Sequence, residues 1–217
     1  MGLRERLAQH GCTSGDLKVD VIKFLTQGPD YLLEEVDFST AAVVLAAPAS
    51  YVKALYQVES SGNPFVNGRP VILFEPHRFS KATGRKYDRT HPHISYPNWD
   101  PKRYPASQLG RYEQLAEAVG LDADAGFASA SYGAFQILGE NFARCDCVDP
   151  MAFAWQESQT AADQLNHFCL FIRSDPTLHR ALQRGDWVTV AKLYNGTAYY
   201  KNRYDVRLAQ AQRKAAA

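Results

Sequence analysis

The sequence is poor in the features that most quickly assign a chain to a class. It holds four cysteines in 217 residues, Cys12, Cys145, Cys147 and Cys169. That is too few for a disulfide scaffold, and Cys145 and Cys147 stand too close to pair easily, so reduced thiols are expected. No long apolar run is present: residues 41–49 are interrupted by Pro48, where a membrane span needs roughly twenty residues. The first twenty residues carry charges from Arg4 to Lys18 and lack the apolar stretch of a secretory leader. A chain of this kind acting outside the cytoplasm would need another agent to release it. Charge of one sign is also missing: 24 Lys+Arg against 23 Asp+Glu give a formal +1, which excludes whole-molecule attraction to nucleic acid or anionic membrane. Internal repeats are absent. The apolar and charged fractions, 46% and 22%, are those of an ordinary globular protein, excluding disorder and collagen-like sequence. The length fits one domain with a short appendage, and a monomer is the expected state.

What is there reads as mostly helical. Residues 14–27 put Leu17, Val21 and Leu25 on one face, with Ser14 as N-cap and Gly28-Pro29 as the stop. A second helix is expected over 39–46, and a third from Pro48 to about Ser61, ending at Gly62. Residues 71–74 form a short apolar run that predicts one strand. Residues 80–107 lack apolar periodicity and contain Pro92, Pro97, Pro101 and Pro105, a long irregular segment of the kind that usually serves function. Helices are expected from Leu109 to Gly120, over part of 131–143, over 157–173 with Ala161, Leu165, Phe168 and Ile172 in register, and over 204–213. Asp186 can cap a further helix, 187–194, that Asn195-Gly196 would end. The fold class expected is α+β, predominantly α-helical, with a small strand region inserted early. Residues 1–38 are too short for a typical independent domain and are expected to pack as a helical segment on a domain of residues 39–217.

Three clusters carry chemistry. Glu59 continues the apolar stripe Val52, Leu55, Tyr56 at a helix C-terminus. Burial and the negative helix end would both raise its pKa, as general-acid cleavage of a glycosidic bond requires. Periodicity alone also fits an exposed helix-end glutamate. Ser129-Ala-Ser-Tyr-Gly133-Ala-Phe-Gln136 combines small residues, which allow close backbone approach, with an amide suited to sugar hydroxyls; tight packing would explain Gly133 equally well. Tyr194-Asn195-Gly196, followed by Tyr199, Tyr200 and Tyr204, offers flat apolar faces with polar tips at a helix end.

In this order, Val58-Glu59-Ser60-Ser61-Gly62, Gly133-Ala-Phe-Gln136 and Tyr194-Asn195-Gly196 with a later Tyr204 resemble the lysozyme-like superfamily of goose-type lysozymes and soluble lytic transglycosylases. The chain departs from that pattern in having Ala134-Phe135 where those have Leu-Met, and in lacking a spacer before Gly196. The wording is closer still to the N-acetylmuramidase domain of bacteriophage endolysins. There the resemblance also takes in Gly68–Phe79, with Leu73-Phe74-Glu75-Pro76-His77, and Lys201–Asp205, and covers about residues 40–210. It implies a lysozyme-like fold, with helices around a sugar-binding cleft and a small β region on one wall. It also implies cleavage of the β-1,4 bond between N-acetylmuramic acid and N-acetylglucosamine in bacterial peptidoglycan, so that the host cell wall is lysed. Glu59 matches the catalytic acid; Gln136, Tyr194 and Asn195 match cleft residues, and Tyr204 the following tyrosine. No cofactor is implied. The expected route is host cytoplasm before release, then periplasm or cell wall.

The second catalytic group stays open. An inverting hydrolase needs a carboxylate about 6.5–9.5 Å from the acid, a retaining one about 5–5.5 Å. Glu75 is the first candidate, with a purely structural partnership with His77 or Arg78 as the other reading of it; Asp88 and Asp100 are alternatives. Without a placed carboxylate, the C6 hydroxyl of muramic acid would attack, and the enzyme would be a lytic transglycosylase forming 1,6-anhydromuramic acid. A non-catalytic peptidoglycan-binding module is the remaining alternative. His77 and Trp99 join the expected substrate contacts, while Tyr87, Tyr96 and Tyr104 either stack on sugars or anchor the loop. No Cys-x-x-Cys pair or His-Glu-x-x-His helix is present, so no metal is expected despite His91-Pro-His93 and Cys145-Asp-Cys147. The near-neutral total hides local bias: residues 80–107 carry six bases and two acids, and residues 201–217 five and one. A basic loop beside the cleft would favour a carboxylate-bearing substrate.

Overall fold

The structure, a computed structural model, describes residues 1–26, 32–60 and 63–216. The expected helix stops at Gly28-Pro29 and Gly62 lie outside the described residues. Two short helices come first, α1 (Leu3–Gln9) and α2 (Leu17–Phe24). The N-cap of α2 is Asp16 and not Ser14: the Asp16 carboxylate accepts from Lys18 N at 2.9 Å and Val19 N at 3.2 Å. The Ser14 hydroxyl instead accepts from Asp16 N and steadies the turn before it. Leu7, Val21, Phe24 and Leu25 enter the common core, and Arg6 reaches Asp149 at 2.8 Å.

Helix α3 (Glu35–Leu45) starts four residues earlier than the sequence pattern implied, and spans the expected boundary at 38/39. A left-handed Ala46, φ 47°, ends it, and Pro48 opens α4 (Ala49–Ser60). No single helix among the described residues is long and apolar enough to cross a membrane.

The β region is larger than one strand. Strands β1 (Phe65–Val66) and β2 (Arg69–Pro70) close around Asn67-Gly68, with φ 53° and 71°, the left-handed pair of a tight hairpin turn. Strand β3 (Ile72–Phe74) then pairs antiparallel with β4 (Ala130–Tyr132), and β4 with β5 (Ile137–Leu138), in the sheet order β3-β4-β5. The helix expected within 131–143 is therefore a β-hairpin followed by a 3-10 turn, Gly139–Cys145. Left-handed Gly133 (φ 70°) and Gln136 (φ 48°) cannot continue a helix, and the register Leu73↔Ser131↔Leu138 recruits their flanks into the sheet.

The proline-rich segment is compact. It begins in α5 (Pro76–Ala82) and closes with a 3-10 turn, Pro101–Arg103. Tyr87 stacks on Phe79 at 5.7 Å, its hydroxyl donates to Leu121 O at 2.9 Å, and Ile94, Ser95 and Tyr96 are buried. Three of its six bases serve the loop itself: Arg85 pairs with Asp88, Lys86 lies over the Tyr87 ring, and Arg103 lies over the Tyr96 ring and donates to Pro92 O.

The remaining helices surround this sheet: α6 (Gln108–Leu121), α7 (Ala123–Ala128), α8 (Pro150–Glu157), α9 (Ala161–Arg173), α10 (Pro176–Arg184), α11 (Trp187–Tyr194) and α12 (Tyr204–Ala216). The pattern over 157–173 is split, because Thr160 caps α9 by accepting from Asp163 N at 3.0 Å. Asp186 caps α11, accepting from Thr189 N at 3.1 Å. The core runs from α4 to α9 through the hairpin, where Phe135 stacks on Phe168 at 4.4 Å. Each fully buried phenylalanine contributes about 2–3 kcal/mol, so this packing fixes the hairpin against the helices. The four cysteines are free and buried.

Candidate active site

A cleft of about 420 Å³ runs between the sheet and the ends of α4 and α11. Its lining includes Glu59, Glu75, Ser131, Gln136, Tyr194 and Asn195, brought together from five separate stretches of chain. Asp88 and Asp100 are not in it: Asp88 accepts from Ser95 Oγ at 2.7 Å, and Asp100 accepts from Lys102 N at 3.1 Å.

Glu59 sits in the last turn of α4, partly buried. Burial pushes its carboxyl up to about 8, with the Arg207 guanidinium pulling the other way. Tyr204, buried at the start of α12, donates its hydroxyl to Glu59 Oε1, and Arg207 donates to Val58 O at 3.1 Å. Helix α12 thus clamps the end of α4. The structure places Tyr204 on the Glu59 carboxyl and not in the cleft lining.

Glu75 follows β3 and faces the same cleft, about one-fifth exposed. Tyr104 donates to its Oε2 at 2.8 Å, which ties the proline-rich segment to the cleft wall. His77 Nδ1 lies 3.2 Å from the same oxygen but out of hydrogen-bonding geometry. Burial lowers the pKa of His77, against the pull of the Glu75 charge. His77 therefore bears on Glu75 and is not among the cleft-lining residues. Trp99 is 58% exposed, stands beside the Tyr104 hydroxyl and is not among the cleft-lining residues.

Gln136 projects from the hairpin turn. Its Nε2 donates to Gly133 O at 2.8 Å and Val71 O at 3.1 Å, so the amide oxygen is the group left to meet a ligand. Tyr194 donates to Phe135 O at 2.6 Å, so its hydroxyl holds the hairpin while its ring lines the cleft; Asn195 next to it is exposed. Sequence reasoning did not single out Glu140, Asn141 or Phe171, which also line the cleft, together with Ser131 of the small-residue motif and Arg78, weighed only as a partner of Glu75. Arg78 and Glu140 pair at 3.0 Å across 62 positions of sequence, a contact that no local pattern announces. Among the described residues no group of three or more His, Cys, Asp and Glu side chains is arranged to hold a metal; His91 meets Thr90, and His93 meets Glu117.

The arrangement brings a desolvated carboxyl, a second carboxylate and several polar groups into one cleft. The sequence model of one protein family, described as N-acetylmuramidase, matches residues 48–216. The chain belongs to the N-acetylmuramidase family. The membership covers every cleft residue named above, while α1, α2 and α3 precede the matched span. Among solved structures, the chain is similar to the crystal structure of a Burkholderia AP3 phage endolysin. The two are 32% identical, with a TM-score of 0.76, over 85% of this chain and 70% of that one. This likeness bears out the lysozyme-like α+β fold. The comparison with curated proteins finds none that matches.

Proposed function

We propose that this N-acetylmuramidase is an endolysin that cleaves the β-1,4 bond between N-acetylmuramic acid and N-acetylglucosamine, with Glu59 as general acid. One observation carries the reading: Glu59 lies in a polar cleft under desolvation that raises it to about 8. A carboxyl in that state keeps its proton at neutral pH and delivers it to the leaving glycosidic oxygen. The Tyr204 hydroxyl occupies Oε1, which leaves Oε2 to carry the proton toward the cleft.

Glu75 is the group we assign to activate water. It shares the cleft with Glu59, and the Tyr104 hydrogen bond to one oxygen orients the other. Gln136 and Asn195 meet sugar hydroxyls and N-acetyl groups, the Tyr194 ring supplies an apolar face, and Trp99 stacks at the rim. His77 fixes the Glu75 side of the wall. Helices α1 and α2 serve as a segment docked on the catalytic unit, which α3 opens.

Peptidoglycan digested by the protein and analysed by mass spectrometry tests the chemistry. Reducing muramic acid ends are expected; 1,6-anhydromuramic acid ends would instead make Glu75 structural and the enzyme a transglycosylase. Turnover by Glu59→Gln at the native rate would remove the assignment altogether.

A further inference from the structure

Behind the cleft lies a buried polar network that the proposed chemistry does not use. Glu157, at the end of α8, and His167, in α9, are 1% and 2% exposed and meet at 2.8 Å. His167 Nε2 continues to Gln156 Oε1 at 2.9 Å, with Cys147 Sγ at 3.6 Å. Buried charge is costly in a core unless it is paired, and a surviving pair of this kind fixes what it touches.

What it touches is the hairpin turn. Gln164, fully buried in α9, donates from Nε2 to Glu157 O at 2.8 Å and accepts at Oε1 from Ala134 N at 2.7 Å. A Cβ on Gly133 would lie 2.5 Å from Gln164 Cδ and 2.6 Å from Glu157 Oε2, so the turn backbone rests directly on both side chains. Gly133 O in turn accepts from Gln136 Nε2 at 2.8 Å. Gln136 itself is held at φ 48°, a conformation that a non-glycine residue keeps only when its surroundings over-determine it. Two contacts thus bear on the turn: the Glu157 carboxylate lies directly under Gly133, and Gln164, hydrogen-bonded to the Glu157 main chain, holds Ala134 N; the turn in turn holds the amide in the cleft.

We propose that Gln164, held on the Glu157 main chain beside the Glu157–His167 pair, is the positioning residue that aims Gln136 at the glycan. The inference rests on the reading of Gln136 as a substrate contact, and it goes beyond that reading in placing the control of its orientation on α9. It predicts coupling, because an effect transmitted through Gln136 disappears when Gln136 is absent.

The test is a double-mutant cycle of Gln164→Met and Gln136→Ala, read as kcat and KM on soluble peptidoglycan fragments. Gln164→Met keeps the volume and removes both hydrogen bonds. It is expected to raise KM about tenfold, the size expected for losing one well-placed hydrogen bond, with kcat little changed. The Gln136→Ala variant is expected to raise KM to the same extent, and the double variant no further. An unchanged KM in either single variant, or losses that multiply in the double variant, overturns the proposal. Should Gln164→Met not fold, His167→Gln takes its place in the cycle and is judged by the same outcomes. The cycle is also read as fragment affinity in a Glu59→Gln background, without turnover. Coupling there, in a protein whose wild type fails to hydrolyse, would sustain the positioning role and remove only the hydrolase reading.

Discussion

Glu59 and Glu157 are both carboxyls withdrawn from bulk water, and the molecule treats them in opposite ways. Glu59 has a tyrosine hydroxyl on one oxygen and a cleft on its other side; the nearest opposing charge, Arg207, only moderates its shift. Glu157 is enclosed by α8, α9 and the hairpin, where burial raises its pKa against the hydrogen bond and charge of His167. For His167 burial lowers the pKa, and the hydrogen bonds to Cys147 and Glu157 together with the Glu157 charge outweigh it, lifting the imidazole to about 10. Neither member of the pair lines the cleft. The same desolvation thus suits a carboxyl to the proposed role of donor where a cleft opens beside it and to that of a structural brace where a base closes on it.

The largest effect should come from breaking the donor. Glu59→Gln is expected to lower kcat by about a thousandfold, as loss of a general acid does, with the fold intact by circular dichroism. Breaking the brace should show in stability instead: Glu157→Gln leaves His167 buried without its carboxylate and is expected to cost about 3–5 kcal/mol in denaturant unfolding. A native-like unfolding midpoint in that variant would erase the distinction between the two acids.

The pH dependence sharpens the comparison further. The folded-state pKa of Glu59, about 8, lies above the ordinary carboxyl value of 4.5. Its contribution to stability is therefore fully present below the ordinary value and lost as pH rises through about 8. Activity should fall over the same alkaline range with an apparent pKa near 8 in kcat/KM, and Glu59→Gln should unfold less readily than wild type above it. Tyr204→Phe, which removes the hydroxyl on Oε1, is expected to lower kcat about tenfold with little change in KM. The smallest effect is expected at the rim: Trp99→Ala should raise KM by about threefold, an exposed stacking contact being worth roughly 0.5–1 kcal/mol.

Much of the helical frame was legible from local chemistry. Asp186 before an apolar run, and the spacing of Ala161, Leu165, Phe168 and Ile172, describe elements whose signals lie within one or two turns. Glu59 stood out because it continued an apolar stripe. The hairpin at 130–138 was not legible, since its identity depends on β3, some sixty residues away, and on two left-handed positions, one of them not glycine. Asp16 displaced Ser14 as a cap for the lesser reason that two competent oxygens stood two residues apart.

The sequence by itself determined which residues can do chemistry, the order of the motifs, the helical period and the near-balance of charge, because these follow from side-chain identity and short spacing. Only the tertiary structure decided which of them meet. It put Glu59 and Glu75 in one cleft and turned Tyr204 onto the acid. It also engaged the Tyr194 hydroxyl in holding the hairpin and left Asp88 and Asp100 to loop structure. Desolvation and hydrogen bonding act over a few ångströms of space, whatever the distance along the chain, so the upward shift of Glu59 is a property of the packed molecule.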